Sequence, residues 1–164
     1  MPVVLTASGF AASPELRAGL TQLNNDHAVE LSWADEERLG TMIGEAFLAA
    51  HEGMEDALLI AFDQNADYDS PNFLWFRERH ARFVYVDRIV TSATARGNGL
   101  GRALYAMLFE AARAAGYDRI VCEVNSDPPN PASDAFHAAL GFVKVGEALL
   151  ANGKTVTYLS CPLA

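Results

Sequence analysis

The chain has 164 residues, 51% of them apolar, which suffices for one α/β domain with a sizeable core. Its formal net charge of -9 argues against a nucleic-acid partner, because a phosphate backbone would be repelled. No apolar run approaches the ~20 residues a membrane span needs, and no basic-then-apolar leader opens the chain, so a cytoplasmic location is expected. Cys122 and Cys161 sit in strand-like runs, where reduced, buried thiols are expected. The four histidines are too scattered for a zinc site, and no metal is expected.

In chain order, an opening strand is followed by Ser13-Pro14-Glu15, which reads as an N-cap with proline at the first helical position of a helix reaching about Leu23. Ser32, followed by Asp35, Glu36 and Glu37, reads as a second helix start with acids in the first turn. Ala46 to His51 and Ala57 to Phe62 flank Glu52-Gly53 and form a hairpin pattern. Asp63 to His80 is an insertion in which Ser70-Pro71 caps a short helix through Arg79. It carries Tyr68, Asn72, Phe73, Trp75, Phe76 and Arg77, and its aromatics are expected to pin it to the body.

Phe83 to Thr91 is β-branched and aromatic, as strands prefer. Next come Arg96-Gly97-Asn98-Gly99-Leu100-Gly101-Arg102 and a helical stripe of Leu100, Leu104, Met107, Leu108, Ala111 and Ala115, with Gly116 as a stop. A glycine-rich turn opening a helix presents unpaired N–H groups at the positive end of the dipole, a geometry suited to phosphate. A Walker A loop would need Gly-Lys-Ser/Thr, and the dinucleotide fingerprint would need its third glycine three residues after the second; neither fits glycines at 97, 99 and 101. A second strand, Arg119 to Val124, leads to Asn125-Ser126-Asp127-Pro128-Pro129-Asn130-Pro131. Ala132 to Phe142 follows. Phe142 to Leu149 and Thr155 to Leu159 flank Asn152-Gly153, a strong hairpin signal.

Arg96, Gly99 and Gly101 fit Arg/Gln-x-x-Gly-x-Gly, and the segment resembles the acetyl-CoA pyrophosphate loop of the GNAT superfamily of N-acetyltransferases. Asn130, Ser133, Phe136, Gly141 and Phe142 resemble a second motif of that superfamily, downstream in the correct order. The resemblance is strong from about Phe83 to Pro162 and extends upstream only in the order of elements. It implies a mixed, mostly antiparallel sheet of about seven strands flanked by about four helices, splayed between its two central parallel strands. It further implies acetyl-CoA as acyl donor and direct transfer to an amine in a ternary complex. Cofactor contacts are implied for Ile89, Val90 and Thr91, for the loop residues Arg96, Gly97, Asn98, Gly99, Leu100, Gly101 and Arg102, and for Asn130 and Ser133.

Glu123 holds the position used as base by ribosomal-protein N-terminal alanine acetyltransferases, and it interrupts an apolar strand. His137 stands where the family commonly has the tyrosine assigned to protonate the thiolate; imidazole could do the same. Tyr85 and Asp87 alternate on one face and could order a water as proton relay. The acceptor, a small-molecule or peptide amine, is expected near Asn24-Asn25-Asp26-His27 and Glu147 to Lys154, and a homodimer is expected from the resemblance. The missing tyrosine motivates a rival reading, a CoA-binding sensor or interaction module on the same fold.

Overall fold

The computed structural model describes residues 1–29, 31–127 and 129–164. Pro128, within the expected loop before the second motif, lies outside them. Among the described residues seven strands form one sheet: β1 (Val3–Val4), β2 (Leu48–Glu52), β3 (Ala57–Asp63), β4 (Val84–Thr91), β5 (Arg119–Asp127), β6 (Val143–Leu149) and β7 (Thr155–Pro162). Their order is β1-β2-β3-β4-β5-β7-β6. Every pairing is antiparallel except β4 with β5, which pair in parallel at Val84–Ile120 and Tyr85–Val121. Beyond those positions the two strands diverge, the expected splay.

Six helices occur among the described residues: α1 (Ala7–Ala12), α2 (Pro14–Asp26), α3 (Glu36–Glu45), α4 (Pro71–Arg77), α5 (Leu100–Ala114) and α6 (Pro131–Leu140). Ser13 caps α2 as expected, its hydroxyl accepting from Leu16 N–H at 3.2 Å. Helix α1 is additional, capped by Thr6 Oγ1 accepting from Gly9 N–H at 3.0 Å. Helix α3 starts later than Ser32: Asp35 Oδ1 accepts from Arg38 N–H at 2.7 Å, so the acid is the cap. Ser70 makes no side-chain cap bond, and α4 ends at Arg77 rather than Arg79. The buried stripe of α5 runs through Leu104, Tyr105, Leu108 and Ala112, while Ala115 is exposed; a 3.6-residue period drifts away from the anticipated alanines.

Two apolar layers sandwich the sheet. One holds α1 to α4 against the face bearing Leu58, Ile60, Phe62, Tyr85, Val121 and Tyr158. The other holds α5 against the face bearing Leu59, Ala61, Val84, Val86, Ile120 and Cys122. Phe73 and Phe76 of α4 are fully buried in the first layer, so the aromatics of the insertion do anchor it. Cys122 and Cys161 are free and buried.

Helix α2 crosses the β2–β3 turn at Gly19, where an added Cβ would stand 2.1 Å from the Met54 carbonyl oxygen. Alanine there gains about 1 kcal/mol of helix propensity but forces two backbones apart. Overpacking costs about 1–3 kcal/mol, so Gly19→Ala is expected to lower the urea midpoint. An unchanged or raised midpoint would show that the turn yields freely.

Candidate active site

Where β4 and β5 part, a cleft of about 630 Å³ opens. Past Tyr85 the β5-facing edge of β4 has no strand partner there, so its backbone groups border the cleft and can pair with an extended ligand. Ile89, Val90 and Thr91 form this wall. Arg96, Gly97, Gly99, Leu100, Gly101 and Arg102 form the next, and Asn130, Ser133, Phe136 and His137 close the side opposite β4. Of the expected loop residues, the exposed Asn98 is not part of the lining.

Gly99 caps α5 at φ +74°, and the first bond into the helix runs from Ala103 N–H to Gly99 O at 3.0 Å. Leu100, Gly101 and Arg102 therefore present N–H groups without intrahelical acceptors. At Gly97 and Gly99 an added Cβ would meet nothing within 4 Å, so open space lies over the backbone. Free donors, a helix dipole and two arginines fit a pyrophosphate group.

At the acceptor end, Glu123 is half-buried and both carboxylate oxygens are engaged. Tyr85 Oη donates to Oε2 at 2.7 Å, and Asn72 Nδ2 donates to Oε1 at 3.1 Å. Tyr158 Oη donates in turn to Asn72 Oδ1 at 2.9 Å. Burial, reinforced by the nearby Asp87 charge, pushes the Glu123 carboxyl up to about 8, against the pull of Tyr85 and Asn72. A group titrating there is matched to exchanging protons with amines near neutral pH.

Beside it, the register between β3 and β4 steps from Ile60–Arg88 to Ala61–Val86, leaving Asp87 as the extra residue of a bulge. The bulge lets Asp87 and Arg88, adjacent in sequence, join one polar cluster. Arg88 Nε donates to Asp87 Oδ2 at 2.8 Å, Arg88 Nη1 donates to Asn24 Oδ1 at 2.6 Å, and Tyr68 Oη donates to Asp87. Burial opposes the Arg88 charge, but pairing with Asp87 outweighs it and raises its proton affinity.

His137 is 4% exposed. Its Nδ1 lies 2.8 Å from Ser133 O, to which it donates, so Nε2 accepts from Tyr105 Oη at 2.7 Å. Burial holds the imidazole below its usual range, which keeps it neutral at pH 7.

The expected cofactor residues other than Asn98 thus line one cleft together with Asp87, Glu123 and His137, whereas Tyr85 does not line it, and of the two expected acceptor segments only His27 does. Sequence reasoning missed Arg88, Tyr105 and Tyr158 and gave Asn72 no role. Tyr158 had a findable signal in the hairpin pattern, since β7 sets it opposite Glu123. Arg88 had none, because strand alternation places it on the face opposite Asp87.

The family model described as "Acetyltransferase (GNAT) family" matches residues 27–142. The chain belongs to that family of acyltransferases, whose acyl donor is acetyl-CoA. No curated protein matches it. Among solved structures, the ribosomal-protein-S18-alanine N-acetyltransferase from Escherichia coli is 18% identical, with a TM-score of 0.68 over 100% of this chain and 94% of that one. A putative acetyltransferase, yncA, from Salmonella typhimurium with its cofactor acetyl-CoA is 19% identical, with a TM-score of 0.67 over 100% and 94%. Ard1 from Thermoplasma volcanium is 10% identical, with a TM-score of 0.72 over 100% and 97%. At such identities the likeness is one of fold. Among the described residues no helix is long and apolar enough to cross a membrane.

Proposed function

We propose that the protein transfers an acetyl group from acetyl-CoA directly to a primary amine within a ternary complex, with Glu123 as the base. Acetyl-CoA supplies a thioester that acylates the amine and releases the CoA thiolate. The loop Arg96 to Arg102 holds the pyrophosphate through the N–H groups that open α5, and Ile89 to Thr91 offer their backbone edge to the pantetheine arm. Asn130 and Ser133 flank the same arm.

The observation that carries this reading is the placement of Glu123 beside the splay, held by two donors and titrating near 8. An incoming ammonium gives its proton to the Glu123 carboxylate as the nitrogen attacks. A thiolate, with an ordinary pKa of about 8.5, is a weak enough base to leave without a dedicated strong acid. His137, neutral and engaged at both nitrogens, is assigned to holding Tyr105 and α6 rather than to donating a proton. Cys122 is buried with its thiol pushed well above the usual range by that burial, which argues against an acetyl-enzyme.

Calorimetric titration with acetyl-CoA, against ATP and NAD as controls, tests the cofactor assignment. Binding of acetyl-CoA alone at micromolar Kd, about -8 kcal/mol, is expected. Absence of binding to the folded protein would remove the reading.

A further inference from the structure

Helix α4 belongs to the insertion between β3 and β4, and its rings pack on the two tyrosines that frame Glu123. Phe73 lies 5.6 Å from Tyr85 of β4, and Phe76 lies 5.3 Å from Tyr158 of β7, centroid to centroid. Trp75 stacks on Tyr158 at 4.1 Å, and a Cβ on Gly146 of β6 would stand 2.5 Å from its ring. With Phe73 and Phe76 fully buried, close packing leaves the helix little freedom to shift. Asn72 is the polar residue that this fixed helix brings to Glu123.

Glu123 lines the cleft, whereas Asn72, Tyr85 and Tyr158 do not. These three reach the carboxyl from behind, off the surface that a ligand in the cleft would touch. An ionised carboxylate can only accept, so Asn72 turns its NH2 group to Glu123 and leaves Oδ1 for the Tyr158 hydroxyl. Tyr158 holds the amide in that sense, because a reversed amide would set two oxygens against each other. The donors from Asn72 and Tyr85 match the anion, and the amide nitrogen cannot accept from a protonated acid.

We infer that Asn72, locked by Tyr158, is a positioning residue for the reaction: it keeps the Glu123 carboxylate aimed into the cleft and ready to take a proton. The inference rests on the reading of Glu123 as the base. Burial and the Asp87 charge push the Glu123 carboxyl up to about 8, and the Asn72 bond works against them. Arg88, paired with Asp87, is the opposite charge beside it. Tyr68, Tyr85, Tyr105 and Tyr158 lie within reach of the same carboxyl, as does the Cys122 thiol. Burial pushes each of these groups up, so none titrates alongside Glu123.

The test follows the Glu123 side-chain carboxyl carbon by NMR as pH is raised, the signal being assigned by its absence in Glu123→Gln. Loss of the amide donor in Asn72→Ala is expected to move the titration up by about one pH unit. Tyr158→Phe keeps the ring on Trp75 and is expected to move it the same way by less. The inflection of kcat at saturating amine should follow in both variants, with acetyl-CoA affinity unchanged. An unmoved or lowered titration in folded Asn72→Ala, or in Tyr158→Phe should the first fail to fold, would overturn the inference. A carboxyl that moves without kcat following would instead overturn the reading of Glu123 as the base.

Discussion

Glu123→Gln is expected to lower kcat by about a hundredfold to a thousandfold while leaving acetyl-CoA affinity unchanged, the usual worth of a general base. Gln keeps the shape and still accepts from Tyr85 or Asn72, so the change isolates the proton-accepting function. In the wild type, kcat at saturating amine should rise tenfold per pH unit below about 8 and level off above it, following the raised Glu123 pKa. In the variant that inflection should vanish. His137→Gln serves as the control, expected to cost less than about tenfold if the imidazole only positions Tyr105. A larger loss from His137→Gln than from Glu123→Gln would reverse the assignment of roles.

The same pKa has a consequence for stability. An acid whose folded pKa is raised holds its proton in the native state where the unfolded chain has lost it, so the native state binds more protons across that window. Stability from this group is fully present below the unfolded value of about 4.5 and falls as pH rises to about 8. Glu123→Gln should therefore gain thermal stability relative to wild type at pH 8 but not at pH 4. Activity and stability pull in opposite directions at this one carboxyl, as expected where a buried ionisable group is kept for chemistry.

Gly99→Val is expected to weaken acetyl-CoA binding by at least about tenfold, measured by the same calorimetry. At φ +74° a β-branched side chain is strained by about 1–3 kcal/mol, and it would fill the open space over the backbone where the pyrophosphate is to lie. Because no protein atom lies within 4 Å of the added Cβ, clash inside the protein does not explain a loss of affinity. A variant that binds acetyl-CoA as tightly as wild type would move the phosphate site elsewhere.

Elements whose signals are local were legible in the order of residues. Caps and strand runs are set by neighbours within a few residues, so Ser13-Pro14, the strand reaching Thr91 and the Asn152-Gly153 hairpin could be read directly. The glycine loop could be read for the same reason: positive φ at Gly97 and Gly99 and the opening of α5 need only the local chain. Glu123 stood out because a carboxylate in an apolar strand demands partners, although the strand does not say which.

Those partners come from long-range packing. Asn72 arrives from α4, 51 residues away in sequence, and Tyr85 from β4, 38 away. Arg88 joins the cluster through a bulge that breaks the strand alternation from which its face would be read. His137 occupies a motif position that invites a proton-donating role, but burial against Tyr105 and Ser133 uses both nitrogens. Motif positions follow from local backbone geometry, whereas protonation, access and specificity follow from what the long-range packing places around them.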